Sequence, residues 1–85
     1  MSDISLQEKE KEFYKKLGIA LRQARRAANK SQSDVAKSID VTFQQIQKYE
    51  KATNYPKEFK TREIVKYLGR SDYDGFLRDY NVHTH

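Results

Sequence analysis

Apolar residues recur along most of the chain at the three- and four-residue spacing of α-helices, and no stretch of any length alternates polar and apolar residues as a half-buried strand does. We expect the longest helix to end near Asn29, because asparagine tolerates the left-handed backbone that terminates helices. Gly18 interrupts this helix and either allows a close contact with another helix or divides the segment in two. The apolar stripe of this first helix consists of Phe13, Leu17, Ala20, Leu21, Ala24 and Ala28.

Shorter helices are predicted after the first one, from apolar spacing and from residues that commonly cap helices. Ser31 with Asp34 is typical of a helix start, and so is Thr42, which places short helices at 31–38 and 42–51. A further helix ends at Leu68 before Gly69, and the last one begins at Ser71. The side chains expected to be buried are Val35, Ala36, Ile39, Ile46, Tyr49, Phe59, Ile64, Val65, Leu68, Tyr73, Phe76 and Leu77. The pattern therefore predicts an all-α domain of four or five helices.

Composition narrows the classes of function. Leucine, isoleucine, valine and phenylalanine supply 18 of the 85 residues, so the core is small. The absence of cysteine excludes disulfides and thiolate chemistry, and we expect a cytoplasmic protein. No apolar run is long enough to cross a membrane. No set of residues resembles a catalytic or cofactor site, so we expect neither an enzyme nor a bound cofactor or metal.

The charge balance indicates a polyanionic partner. The chain carries 17 basic and 12 acidic side chains, a formal net charge of +5. The excess lies in residues 22–70, which hold twelve basic and five acidic residues. A basic surface on a small domain attracts nucleic acid first of all, although many solvated domains are also basic.

The helices at 31–38 and 42–51 form a helix-turn-helix unit, whose second helix enters the DNA major groove in proteins that use it for recognition. With Ile46 and Tyr49 facing inward, the second helix exposes residues that read bases. Glutamine pairs with adenine, lysine reaches guanine acceptors, and an aromatic ring packs on thymine methyl groups. The alternative is an ordinary solvated polar face. The exposed residues are Phe43, Gln44, Gln45, Gln47 and Lys48.

Several linked motifs resemble one family, the phage repressor/Cro-type (Xre) helix-turn-helix proteins. The resemblance covers roughly residues 13–77 and implies a compact five-helix, lambda-repressor-like DNA-binding domain. It further implies a sequence-specific transcriptional regulator that binds a pseudo-palindromic double-stranded operator as a homodimer. The motifs are Leu17-Gly18-x-x-Leu21-Arg22-x-x-Arg25, Ser31-Gln32-x-x-Val35-Ala36, Val41-Thr42, Ile46-x-x-x-Glu50, Pro56, Ile64-Val65 and Leu68-Gly69.

The resemblance also implies roles for individual residues. Arg25 and Glu50 match a structural ion pair that ties the first helix to the end of the recognition helix. Arg22 and Lys30 are weaker candidates for the DNA backbone. The expected base-reading residues are Phe43, Gln44 and Lys48, and Gln47 is a peripheral candidate. The expected backbone contacts are Gln32, Thr42, Gln45, Lys51, Asn54 and Lys57.

Three residues depart from the family pattern. Asp40 stands in the turn where glycine is common, and aspartate tolerates a left-handed backbone less well than glycine. Ala52 replaces a frequent glycine after Glu50, so the loop path is open to change. Phe43 replaces a common polar base reader, which leaves the operator sequence undetermined.

The chain is expected to divide into an N-terminal extension (1–12, partly helical or frayed), the DNA-binding domain (13–78) and a C-terminal tail (79–85). The charged N-terminal segment at 7–16 is either a solvated helix face or an arm for dimerisation. An exposed aromatic patch within 73–82 would suit a dimer contact. His83 and His85 are read as part of a tail rather than as metal ligands. The competing class of function is an antitoxin-like protein-interaction subunit with secondary DNA binding.

Overall fold

A computed structural model describes residues 3–83 of the chain, with the side chains of residues 6–83. Over this range the fold consists of five α-helices and contains no strand. The helices are α1 (Asp3–Ala27), α2 (Gln32–Ser38), α3 (Phe43–Lys51), α4 (Glu58–Tyr67) and α5 (Tyr73–Asp79). The predicted all-α class, with the five helices of a lambda-repressor-like domain, is confirmed.

One hydrophobic core lies where all five helices meet. The first helix contributes the stripe predicted from its spacing, with Leu17 and Ala20 almost completely buried. Helix α3 packs on α1, α2 packs on α3, and α4 contacts α1, α2 and α5. The buried apolar residues are Leu17, Ala20, Leu21, Ala24, Val35, Ala36, Ile46, Tyr49, Ile64, Val65, Phe76 and Val82.

Left-handed residues end several helices. Asn29 has φ 59° directly after α1, and Gly69 has φ 95° after α4, where its amide donates to the carbonyl of Lys66. Both helix ends are as predicted. The predicted start of the last helix is wrong by one residue, because the residue before α5 is Asp72 rather than Ser71.

Gly18 lies inside a continuous α1 and marks a close contact rather than a break. A Cβ atom at this position would lie 2.5 Å from the carbonyl oxygen of Glu50 and 2.8 Å from that of Tyr49. Both distances are shorter than any side chain tolerates, so only glycine allows the C-terminal end of α3 to approach α1 this closely. This contact fixes the position of α3 on the long helix.

Phe59 was expected in the core, and this expectation is wrong. The ring is 73% exposed, whereas Thr61, Ile64 and Val65 face inward. At about 100° per residue, Phe59 lies roughly 170° from the centre of that inward face. Thr61 is compatible with burial because its hydroxyl donates to the carbonyl of Lys57 at 3.2 Å.

The C-terminal aromatic segment is part of the core. Phe76 and Val82 are buried, and Lys16 Nζ donates to the carbonyl of His83 at 2.8 Å. The suggested dimer contact at 73–82 lacks the exposed apolar patch it requires, because the large apolar side chains exposed within residues 6–83 lie elsewhere in the chain. His85 lies outside the described residues. The division at residues 12 and 78 stays a prediction.

Residues 6–12 of α1 project beyond the core, and each of these side chains is exposed. Within residues 3–83, none of the helices combines the length and the apolar character needed to span a bilayer.

Candidate nucleic-acid interface

Helices α2 and α3 form the helix-turn-helix unit, and each begins at the predicted cap. The Ser31 hydroxyl accepts from the Asp34 amide at 2.9 Å, and the Asp34 carboxylate accepts from the Ser31 amide at 2.9 Å. Hydrogen bonding of the charged Asp34 carboxylate by Ser31, chiefly by its backbone amide and then by its side chain, lowers the pKa of Asp34. Thr42 caps α3 by accepting from the Gln45 amide at 3.2 Å. The two helices therefore have defined starting points in the sequence.

The turn between them depends on Asp40. This residue adopts φ 58°, and the next amide, that of Val41, donates back to the carbonyl of Ala36 at 3.0 Å. Aspartate therefore adopts the left-handed backbone for which glycine is the usual residue in the family pattern.

One side of α3 is polar and faces solvent, while the opposite side holds Ile46 and Tyr49 in the core. At about 100° per residue, the polar residues fall within an arc of roughly 140°. Gln47 lies within this arc and Gln45 lies about 60° outside it, and both side chains are half-buried. We call the arc the α3 face; it consists of Phe43, Gln44, Gln47, Lys48 and Lys51.

The α3 face carries donors, acceptors and one apolar ring. Phe43 is 42% exposed, so it presents an aromatic surface next to the amide of Gln44. Lys48 and Lys51 add two positive charges in the last turns of the helix. Within the described residues neither lysine forms an ion pair with a protein carboxylate, so both remain available to an external anion.

Arg25 and Glu50 form the ion pair that holds α3 against α1. Arg25 Nε lies 2.6 Å from Glu50 Oε2, and Arg25 Nη2 lies 3.2 Å from Glu50 Oε1. The two side chains are only 12% and 6% exposed, which makes the pair largely desolvated. A third guanidinium nitrogen, Nη1, donates to the carbonyl of Lys30 at 3.0 Å and so joins the loop before α2 to the same network.

Gln32 belongs to this network as well, which the sequence did not indicate. Its Nε2 atom donates to Glu50 Oε1 at 3.0 Å. A side-chain amide has two N–H donors, so one donor and the carbonyl oxygen remain for other partners. Gln32 therefore connects α2 to the end of α3 at the place where a phosphate contact was predicted.

The loop after α3 carries the remaining predicted backbone residues. Ala52 ends the helix with φ 59°, although alanine is not favoured in this conformation. The side-chain oxygen of Asn54 accepts from the Tyr55 amide at 2.9 Å. The Tyr55 ring stacks on Tyr14 with a centroid separation of 4.1 Å and an interplanar angle of 7°. Lys57 is exposed directly before α4.

A cleft of about 350 Å³ adjoins the α3 face. Arg22, only a weak candidate from the sequence, and Arg26, which was not predicted, both line this cleft together with Lys51. The available signal was their four-residue separation, which places them on the same side of α1. Since Arg25 is paired with Glu50, the net positive charge of the cleft comes from Arg22, Arg26 and Lys51. The lining residues are Arg22, Arg25, Arg26, Ser31, Gln32, Gln47, Glu50 and Lys51.

This geometry defines a helix-turn-helix domain of the DNA-binding class. A family profile described as helix-turn-helix matches residues 21–74, which is well over half of the chain. The chain therefore belongs to the helix-turn-helix family of the Xre type, as the resemblance in the sequence implied. Its members are DNA-binding regulators, so the prediction that this domain is not an enzyme is confirmed.

Two relatives from Sinorhizobium fredii (strain NBRC 101917 / NGR234) match parts of the chain. The uncharacterized HTH-type transcriptional regulator y4aM is 53% identical over 38 residues, which cover 45% of this chain and 27% of the relative. The uncharacterized HTH-type transcriptional regulator y4wC is 42% identical over 52 residues, which cover 61% of this chain and 36% of the relative. The chain thus spans about a third or less of the length of these relatives. No solved structure matches it at a comparable level of significance.

Proposed function

We propose that this protein is a sequence-specific transcriptional regulator that represses by occupying a double-stranded operator as a homodimer in the cytoplasm. The observation that carries the proposal is the α3 face, where polar and basic groups are held outward by a buried opposite side. The names of the two relatives, both transcriptional regulators, support the regulatory role.

In this proposal the α3 face reads base edges in the major groove. Gln44 and Gln47 pair with adenine, Lys48 reaches guanine acceptors, and the exposed ring of Phe43 packs on thymine methyl groups. The half-buried position of Gln47 limits its reach, because its stem borders the cleft shared with Arg22. Each well-formed contact contributes about 1–3 kcal/mol of discrimination against the wrong base pair.

The remaining polar residues hold the domain on the phosphate backbone. Lys51 lies at the C-terminal end of the α3 face and the other five flank the face, so together they act on the two strands that border one major groove. Such contacts set orientation without reading sequence. In this proposal the backbone residues are Gln32, Thr42, Gln45, Lys51, Asn54 and Lys57.

Homodimerisation places two α3 faces about one helical turn of DNA apart, so that the operator is pseudo-palindromic. Repression follows when the bound dimer blocks access to a promoter. The spacing is testable directly, because a selected site should contain two inverted half-sites whose centres lie about 10 base pairs apart. Sedimentation at increasing protein concentration, with and without the selected duplex, reports the number of chains bound.

Selection from a random duplex library at fixed salt, followed by affinity measurements over a range of salt concentrations, tests the proposal. A steep salt slope is expected, because phosphate neutralisation releases counterions from DNA. Failure to bind any duplex at low ionic strength would contradict the proposal and favour the protein-interaction alternative.

Single substitutions separate the two kinds of contact. Gln44→Ala should reduce selectivity at one base pair of the selected site by about 1–3 kcal/mol and leave the salt slope unchanged. Lys51→Gln should weaken binding to all sequences alike and lower the slope by about 1. Lys66→Gln is the matched control for lysine loss, because Lys66 is exposed on α4 and does not line the cleft beside α3.

A further inference from the structure

Basic side chains on α1 line up on one side of the helix. At about 100° per residue, Lys11, Lys15, Arg22 and Arg26 fall within an arc of roughly 60°. Gly18 lies beside the same arc, at the point where the end of α3 contacts α1. The four cations therefore stand in two pairs, one on each side of the α1–α3 contact.

Lys51 joins the two pairs. It lines the cleft that holds Arg22 and Arg26, and it also lines a second groove, of about 470 Å³, that holds Lys11 and Lys15. Since Lys51 belongs to the α3 face, both pairs of cations are continuous with the candidate nucleic-acid interface. We call the five residues Lys11, Lys15, Arg22, Arg26 and Lys51 the basic edge.

The charges of the basic edge are not neutralised within the domain. Among residues 6–83, none of its five side chains forms an ion pair. Glu8 and Glu12 also line the second groove, where Glu12 pairs with Lys16 at 3.2 Å and Glu8 offsets part of the charge of Lys11 and Lys15. The positive charge of the edge is therefore strongest beside α3 and weaker towards Glu8.

The length of the edge exceeds what base reading by α3 requires. From Lys11 to Arg26 the helix rises by about 22 Å. This distance equals roughly six base pairs of duplex at about 3.4 Å each. A rigid row of cations of this length suits a polyanion with regularly spaced charges.

We propose that the basic edge follows the phosphates of a DNA strand beyond the base pairs read by α3, and that the projecting part of α1 thereby extends the footprint of the domain. The inference rests on the proposed function. Lys11 and Lys15 are the decisive residues, because they lie towards the projecting end of α1 and none of the proposed base-reading residues lines their groove.

The experiment compares the wild type with the double variant Lys11→Gln/Lys15→Gln on a long duplex that contains the selected site. The variant should lower the slope of log affinity against log salt by about 2 and weaken binding roughly fivefold per lysine at 0.15 M salt. Its base preference should stay unchanged. In ethylation interference, the double variant should lose phosphate contacts that the Gln44→Ala variant retains.

The matched control is Lys9→Gln/Lys66→Gln, which removes the same charge from exposed sites away from the basic edge. Thermal unfolding of both variants checks that the fold is intact. If the edge variant matches the control or the wild type in slope and footprint, the inference is wrong while the proposed function stands. If the wild type binds no duplex, both are wrong.

Discussion

Replacing Glu50 with glutamine tests how the recognition helix is held in place. The Glu50 carboxylate accepts two hydrogen bonds from Arg25 and one from Gln32, so it connects α1, α2 and α3. Glutamine keeps the shape of the side chain and removes its charge. Arg25, only 12% exposed, would then lack a countercharge.

The expected decrease in the free energy of unfolding is large relative to its total value. Removing one partner of a buried ion pair costs about 3–5 kcal/mol, because the other charge stays desolvated. At about 0.05–0.15 kcal/mol per residue, a domain of this size has a free energy of unfolding of roughly 4–13 kcal/mol. With a urea dependence of about 1 kcal/mol per molar, the unfolding midpoint should fall by about 3 M or more.

Urea unfolding followed by far-ultraviolet circular dichroism measures this effect. Glu58→Gln is the matched control, because Glu58 pairs with Arg62 at 2.7 Å on the surface, where the two side chains are 66% and 50% exposed. This control should move the midpoint only slightly, since solvent screens the pair. Equal midpoint shifts for the two variants would refute the view that the Arg25–Glu50 pair is energetically buried.

A double-mutant cycle uses the single variants Arg25→Met and Glu50→Met and the double variant Arg25→Met/Glu50→Met. The double variant removes both charges, so it should be less destabilised than the sum of the single changes. If the effects simply add, the two side chains do not interact, and the network has no role in holding α3 on α1.

Three other changes have defined outcomes. Ala52→Gly should stabilise the domain by about 1 kcal/mol and raise Tm by about 4–8 °C, because glycine adopts the left-handed backbone at φ 59° without strain. An unchanged Tm would argue against strain at this position. Gly18→Ala should lower the stability although alanine has the better helix propensity, because overpacking costs about 1–3 kcal/mol and the neighbouring atoms are backbone atoms. Denaturant unfolding measures the change, and a more stable variant would contradict the close contact. Asp34→Asn should destabilise the domain at neutral pH, and this destabilisation should disappear as the pH falls below about 4. Because the pKa of Asp34 is lowered in the fold, its carboxylate stabilises the domain above the ordinary pKa and stops doing so as it is protonated. Unfolding curves at several pH values test this, and a pH-independent difference would count against it.

The candidate site divides into parts that the sequence predicts well and parts that it does not. The caps at Ser31 and Thr42 follow from local chemistry, because a cap bonds to amides two or three residues away. The outward position of the α3 face follows from helical periodicity. The bond from Gln32 to Glu50 joins residues 18 positions apart, so no local pattern indicates it. The cleft formed by Arg22 and Arg26 with Lys51 likewise exists only once α1 and α3 are packed together.

Phe59 was expected in the core although its spacing argues against burial. It lies five and six residues before the inward-facing Ile64 and Val65, which at about 100° per residue puts the ring on the opposite side of α4. The inward side of α4 packs on α1 and α2. In the structure that side contains Thr61, whose hydroxyl is satisfied by the backbone, and the larger apolar ring points to solvent.

By itself the sequence determined the all-α class, most of the helix ends, the inward stripe of α1, the Arg25–Glu50 pair and the family to which the domain belongs. These features depend on residues that are close in the chain or on spacings that many related proteins share. Only the tertiary structure decided how α3 lies on Gly18, that Gln32 joins the Arg25–Glu50 pair, and which charges remain exposed as the basic edge. The physical reason is that burial and electrostatic pairing depend on distances between segments, and these distances are fixed by packing rather than by local preference.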